Sequence, residues 1–257
     1  MEDLNLVFGT RRPVALITGS GAPRIGNCVA RTLFARGYRV VLHARASIAD
    51  AHTTADELDA GGSDTLVLAG NLTDEPEAHA LVDGARDHFG RLDVLVNCAA
   101  IWQSRTLEET TAQDVRDHFE ANTVASFLCA QRAGLIMTGQ SHGGAIINLG
   151  DWATVRPYLD YAAYFPSKGA IPTMTRSLAV ELAHRNPRIR VNAVLPGPAM
   201  LPDTLSQTER EKAIHATLLQ KSGRPDDIAN AVAFLAESTF ITGVCLPVDG
   251  GRSISPN

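Results

Sequence analysis

Tyr164-Phe165-Pro166-Ser167-Lys168 sets a phenol and an amine four residues apart. On a helix that spacing puts both side chains on one face, about a turn apart. A free tyrosine ionises near pH ~10, too high for easy proton exchange at neutrality. An ammonium beside it favours the phenolate and lowers that value. The pair then reads as a general acid/base that moves a proton while hydride passes from a nicotinamide. Taken alone, Tyr-x-x-x-Lys is a common pattern whose bland meaning is a helix-surface pair. Asp151, thirteen residues before Tyr164, strengthens it, because Asp151 ends an apolar run of strand length and strand C-termini line the ligand crevice of parallel sheets.

The elements that must carry these residues alternate along the chain. Apolar runs of strand length occur at 14–17, 40–42, 66–68, 94–96, 145–147, 189–194 and 245–248. Each is β-branched or Leu-rich and nearly continuous, as expected of strands covered on both faces. Amphipathic stretches at 25–35, 75–89 and 115–137 lie between them. Strand alternating with helix predicts βαβ units and a parallel sheet. No linker, low-complexity segment or fixed-period repeat interrupts residues 13–248. The expectation is an α/β fold, a Rossmann-type doubly wound parallel sheet of about seven strands, with residues 1–257 forming a single domain.

Composition narrows the partners. The 257 residues are 45% hydrophobic and 20% charged, with a formal net charge of −5, ordinary for a globular protein with a sizeable core. No basic run offers a groove for phosphates, so no nucleic-acid partner is expected. No stretch approaches the apolar length of a membrane span, and the acidic N-terminus lacks the order of a secretory signal. Cys28, Cys98, Cys129 and Cys245 are far apart and read as small buried hydrophobes in a reduced compartment. Asn71-Leu72-Thr73 matches a glycosylation acceptor only by accident in a protein that is not exported. A cytoplasmic protein is the expectation. The eight histidines, His79, His88, His118, His184 and His215 among them, show no metal-ligand spacing and read as helix-surface residues, so no metal is expected.

Directly after the first strand, Thr18-Gly19-Ser20-Gly21-Ala22-Pro23-Arg24-Ile25-Gly26 opens a helix. Glycines there let the backbone approach a pyrophosphate, and the helix N-terminus offers free N–H groups. Arg24 sits inside the loop, where its fork suits a phosphate; a solvated surface arginine is the alternative. The end of the second strand reads Leu42-His43-Ala44-Arg45-Ala46-Ser47. A carboxylate there would hold a ribose 2′-hydroxyl. A cation and a hydroxyl suit a 2′-phosphate instead, which points to NADPH. His43 contributes to that site or caps the strand end structurally.

With these motifs in order, the chain resembles the short-chain dehydrogenase/reductase family over nearly its whole length. The resemblance rests on the 18–26 loop, Asn97-Cys98-Ala99-Ala100, Asn122, Tyr164/Lys168, Pro196-Gly197, Gly223-Arg224-Pro225 and Val248-Asp249-Gly250-Gly251. It implies that Tyr164 is the proton donor, that Lys168 holds the nicotinamide ribose, and that Asn122 anchors a water relaying protons to Lys168. By the same resemblance Gly19, Arg24, Ile25, Gly26, His43, Arg45, Ser47, Asn71, Leu72, Asn97, Ala99, Pro196 and Gly197 join Tyr164 and Lys168 around the cofactor. It also implies a homotetramer built on the two long helices and the C-terminal segment.

The departures from the family pattern are informative. Asp151 stands where the family has Ser, Arg24 where it has Gly, and Asn71 where an Asp caps the adenine amine. The glycine loop is one residue longer. This combination is similar to the pteridine reductases, which share the Asp, the Arg-(Ile/Leu)-Gly loop ending and a His-x-x-x-Ser stretch. They stack the pterin on an aromatic placed as Trp102 is, beside a tyrosine placed as Tyr161 is. The resemblance therefore implies a substrate site of Arg24, Trp102, Asp151, Tyr161, Tyr164, Met200 and Leu201. Met200, Leu201, Pro202 and the helix after them read as a mobile lid.

Asp151 also carries a physical argument. Reduction of a ketone builds negative charge on oxygen, which a hydroxyl or N–H donor stabilises and an ionised carboxylate repels. The carboxylate suits a nitrogenous substrate whose C=N bond takes a proton, and Trp102 offers a flat face for a heterocycle. The expected activity is NADPH-dependent reduction of a small flat heterocycle such as a pterin or dihydrofolate, with catalytic residues Asp151, Tyr164, Lys168 and Asn122. Its rivals are a carbonyl-directed reductase, in which Asp151 is protonated and Trp102 merely lines the core, and a non-catalytic NADP-binding sensor.

Overall fold

Runs of Val, Ile and Leu without polar alternation are stable as strands only where helices cover both faces of the sheet. The computed structural model, which describes residues 3–201 and 205–256, has that arrangement. In chain order its elements begin with a short helix α1 (Leu4–Phe8), then β1 (Val14–Thr18), α2 (Ile25–Ala35), β2 (Arg39–Ala44), α3 (Ile48–Leu58) and β3 (Thr65–Ala69). The second half-unit continues through α4 (Glu75–Phe89), β4 (Val94–Asn97), α5 (Ala112–Phe119), α6 (Ala125–Thr138) and β5 (Gly144–Leu149). It ends with α7 (Tyr164–Arg185), β6 (Ile189–Pro196), α8 (Gln207–His215), α9 (Pro225–Glu237) and β7 (Cys245–Val248).

The seven strands form one parallel sheet in the order β3-β2-β1-β4-β5-β6-β7. This is a single Rossmann-like α/β domain, the expected class. Alternate residues of each strand feed opposite layers. Ala15, Ile17, Val40, Leu42, Val94 and Val96 pack with α2, α3 and α9, while Val14, Leu16, Val41 and Leu95 pack with α4, α6 and α7. Strands β1, β4 and β5 are buried throughout. The expectation of full coverage fails at the edges, where β3 and β7 have a neighbour on one side only and keep exposed surface.

The stretch 115–137 is not one helix. A wider π turn, Glu120–Val124, separates α5 from α6, the kind of interruption that turns a side chain out of helical register at functional sites. Among the cysteines only Cys129 is buried; Cys28, Cys98 and Cys245 keep part of their surface. Burial pushes the Cys98 and Cys129 thiols up to about 12 and Cys28 to about 11, so the described thiols stay protonated at neutral pH. No helix among the described residues is long and apolar enough to cross a membrane. His118 is also corrected: it is 2% exposed, on the inner side of α5, with Nδ1 donating to Asp114 O at 2.7 Å.

The sheet order reverses direction between β1 and β4, and the loops leaving those two strands diverge to open a crevice. They are tied at its floor: Cys98 N and Ala99 N donate to Thr18 Oγ1 at 3.0 and 3.1 Å. Two glycines allow the close approach. Gly19 has φ +65° and a Cβ there would stand 2.8 Å from Ala99 Cα; one on Gly26 would stand 2.6 Å from Gly19 O. Replacing Gly26 by Ala forces that carbonyl to move. The variant is expected to lose about 1–3 kcal/mol of stability, read from the urea midpoint at unchanged slope.

Candidate active site

A cavity of about 1030 Å³ opens along the C-terminal ends of the strands. Asp151 enters it from the end of β5, and Tyr164 and Lys168 enter it from the first two turns of α7. Tyr164 Oη donates to Asp151 Oδ2 at 2.8 Å, and Ala153 N donates to Asp151 Oδ1 at 2.8 Å. Lys168 Nζ donates to Leu149 O at 2.8 Å, which draws the ammonium toward the strand end.

The electrostatics differ from the expectation that Lys168 makes Tyr164 acidic. Burial holds the Tyr164 phenol well above its ordinary range, and the Asp151 charge and hydrogen bond push it further up. Burial likewise raises the Asp151 carboxyl, against the Ala153 N–H, the Tyr164 O–H and Lys168, which favour its ionised form. Burial lowers Lys168, with Asp151 pulling the other way. The amine answers the carboxylate, and the phenol keeps its proton by sharing it with Asp151.

Asn122 and Asn97 stand behind this wall. Asn122 Nδ2 donates to Ile101 O at 3.1 Å and Ser167 Oγ at 2.9 Å, and its Oδ1 accepts from Ile101 N at 2.8 Å. Asn97 Nδ2 donates to Ser126 O and Asn148 Oδ1. Asn97 ties β4 to β5 and α6, Asn122 ties the segment after β4 to α7, and neither residue is among those lining the cavity. The remaining residues assigned to a site from the sequence all line it; Pro202 lies outside the described residues.

On the β1–β2 side, Ile25 and Gly26 begin α2 at the cavity wall, and Arg24 leaves that helix without a side-chain cap. A helix start without such a cap is a ready site for an anion. Arg24 and Arg45 are exposed cations at the rim, and no carboxylate occurs from His43 to Ser47. The donor set therefore fits a phosphorylated dinucleotide. Asn71 Oδ1 already accepts from Thr73 Oγ1 at 3.0 Å, a bond that an adenine amine would have to share.

The other end is aromatic. Trp102 stacks on Tyr161 with ring centroids 5.0 Å apart and planes 9° from parallel. Trp102 keeps 44% of its surface exposed, so it does not line the core, and Tyr161 covers one of its faces. Sequence reasoning missed three neighbours in this wall: Tyr158, edge-on to Tyr161 at 5.1 Å, Trp152, and Arg252, whose guanidinium lies 4.9 Å over the Trp152 ring. Trp152 adjoins Asp151 and was legible by position; Tyr158 falls on a loop and Arg252 begins a single 3₁₀ turn, Arg252–Ile254, and neither carries a periodic signal. Met200 and Leu201 line the cavity with Glu209 and Ala213 of α8. No cluster of metal-ligating residues occurs among the described residues.

A family model described as enoyl-(acyl carrier protein) reductase matches residues 21–253. The chain is 36% identical to a putative ketoacyl reductase of the granaticin polyketide synthase of Streptomyces violaceoruber, over 94% of this chain and 96% of that protein. It is 35% identical to a 3-oxoacyl-acyl-carrier-protein reductase of Staphylococcus aureus, over 92% of this chain and 96% of the relative. Pteridine reductase 1 of Leishmania tarentolae is 32% identical over 95% of this chain and 97% of its own.

If Asp151 helps to hold the Tyr164 phenol in its neutral form, Asp151→Asn lowers the pH at which that phenol ionises. Phenolate absorbance, taken as the difference from Tyr164→Phe in each background, is expected to appear at lower pH in the variant. An unchanged titration would mean that burial acts alone.

Proposed function

The chain belongs to the short-chain dehydrogenase/reductase family, an oxidoreductase family whose members bind NAD(P)(H), and on that premise we propose that it uses NADPH to reduce a small flat nitrogen heterocycle of the pterin or dihydrofolate kind. One observation carries the substrate assignment: the group that meets Tyr164 Oη is the Asp151 carboxyl. It stands beside a stacked Trp102/Tyr161 wall.

The start of α2 and Arg24 would hold the pyrophosphate, Arg45 and Ser47 the 2′-phosphate, and Lys168 the nicotinamide ribose. The bound nicotinamide supplies a hydride. The open face of Trp102 orients the heterocycle, whose N–H edge donates to Asp151. Tyr164 and Asp151 hold one proton between them across 2.8 Å, and this pair delivers it to the ring nitrogen as the C=N bond is reduced. Burial, which raises both groups, keeps that proton in place near neutral pH, the condition a general acid needs. Asn122 acts through the backbone of Ile101 and through Ser167, the residue before Lys168.

A second reading, reduction of a ketone or 3-oxoacyl group, draws on the same burial. A protonated Asp151 would donate to a carbonyl oxygen and remove the repulsion that an ionised one imposes. Turnover with NADPH separates the two. Dihydrobiopterin or dihydrofolate is expected to exceed a panel of ketones and 3-oxoacyl thioesters in kcat/KM, and NADH to serve poorly in place of NADPH. The reverse substrate order would establish the second reading. Tyr164→Phe is expected to lose about 10²–10⁴-fold in turnover while still quenching on nucleotide addition. Full activity in that variant would remove the acid assignment.

For the assembly we propose a homotetramer. Exposed Phe127 and Leu135 on α6 and Val180 on α7 offer apolar surface on the two long helices. Light scattering is expected to give four chains per particle; a monomer would overturn this.

A further inference from the structure

His43 is the penultimate residue of β2, two residues before Arg45, and 2% of its surface reaches solvent. Gly19 N donates to His43 Nδ1 at 3.0 Å. An amide N–H only donates, so Nδ1 carries a lone pair. Nε2 lies 3.0 Å from Gly70 O, which only accepts, so Nε2 carries the proton. The two backbone partners thus select one neutral tautomer. The attachment is doubled along the main chain: Ser20 N donates to His43 O at 2.9 Å, and His43 N donates to Ser20 Oγ at 3.1 Å.

One imidazole therefore bridges two separate walls of the nucleotide side of the cavity. Gly19 opens the glycine loop that leads into α2, and Gly70 precedes Asn71 on the loop that leads into α4. We propose that His43 is a positioning residue that holds these two loops in register for the nucleotide, and that its protonation releases the glycine loop and weakens nucleotide binding in mild acid. The inference rests on the nucleotide site proposed above and adds its regulation.

A proton on Nδ1 would set two donors against each other across the Gly19 contact, and that bond would be lost. The charged groups on the surrounding elements are Arg24 on the glycine loop, Arg45 on the turn after β2, and Glu77 of α4. Glu77 is engaged by Asn71 N at 2.7 Å. Both ring nitrogens are already taken by backbone, so none of these charges reaches the ring through a hydrogen bond. Burial lowers the imidazole from its ordinary value of 6.5. The sign follows: above that value the ring is neutral and the loops are joined. Once pH falls below the lowered pKa, affinity drops by up to about tenfold per pH unit, the limit for a single proton.

The test is calorimetric titration of the full-length protein with NADP+, which survives acid, from about pH 8 to about pH 5, with circular dichroism checking the fold at each point. The 2′-phosphate titrates near pH ~6 itself, so NAD+, which lacks it, is run in parallel. Wild-type affinity is expected to fall with acid for both nucleotides. His43→Gln, which keeps a donor and an acceptor but does not titrate, is expected to retain only the slope due to the 2′-phosphate and to be flat with NAD+. Parallel curves for the two proteins overturn the proposal. Should the variant fail to fold, an NMR titration of the imidazole in the unaltered protein decides: bound NADP+ is expected to depress its pKa, and an unmoved pKa overturns the proposal. Absence of nucleotide binding at every pH overturns the cofactor assignment itself, and this inference with it.

Discussion

Tyr164 and Asp151 meet across 2.8 Å in a place where neither ionises freely, and much of the surrounding architecture serves to keep them there. A buried carboxyl without a donor would be costly. Here Ala153 N and Tyr164 Oη both donate to it, and a turn of 3₁₀ helix, Trp152–Thr154, is capped by the same side chain. Asp151 is therefore a structural cap and the hydrogen-bond partner of Tyr164 at once. The phenol is fixed from the other side by its place at the start of α7. That helix buries Ile171, Thr175 and Leu178 on its inner face and cannot shift without disturbing β5 and β6.

The side of the cavity proposed for the nucleotide obeys a different constraint. Its working surface is backbone, so what matters is which loops can approach and how they are tied. Thr18 ends β1 and its hydroxyl receives the amides of Cys98 and Ala99; Gly19 then turns away with a positive φ. His43 ties the same turn to the loop after β3. Four strand ends, those of β1, β2, β3 and β4, are thereby fixed to one another by the Thr18 and His43 side chains. The cations at the rim, Arg24 and Arg45, are left on a rigid frame, so their separation is set by the sheet.

Much of this was legible in the sequence because it depends on local signals. Continuous apolar runs gave all seven strands, the two edge strands included, and the glycine spacing gave the turn before α2. Asp151, Tyr164 and Lys168 were legible because strand end, helix start and spacing all agree. What escaped depends on long-range geometry. Tyr158 reaches the cavity from a loop and Arg252 from a single 3₁₀ turn, where no periodicity says which way a side chain faces. His118 looked like a surface residue because its neighbours on α5 are polar, yet the π turn after it brings α5 against α7. The direction of the Tyr164 shift was misread for the same reason. Spacing alone shows that Lys168 is near the phenol; it does not show that Leu149 O holds the ammonium, or that burial outweighs the attraction.

That misreading bears on chemistry. A phenol made acidic by an amine would be a proton donor in its own right. A phenol kept neutral by burial and by a carboxyl is one half of a shared proton, and its partner decides what it can act upon. If the pair is ionised overall, the site repels a developing oxyanion and accepts from N–H groups, which favours a nitrogen heterocycle. If burial leaves it neutral, two O–H donors face the cavity, and a carbonyl oxygen becomes an acceptable guest. Substrate choice at this site thus reduces to the charge on one carboxyl. Burial acts to raise its pKa, while Ala153 N–H, Tyr164 O–H and Lys168 act to lower it. A ligand that expels water from the cavity strengthens every one of these terms. A ring with N–H groups adds donors to the second set and stabilises the ionised form; a ketone adds only an acceptor and stabilises the neutral one. Each class of substrate therefore selects the protonation state it needs, and the stacked aromatic wall, which offers a face to a ring and little to a thin chain, is the feature on which the proposed preference for a heterocycle rests.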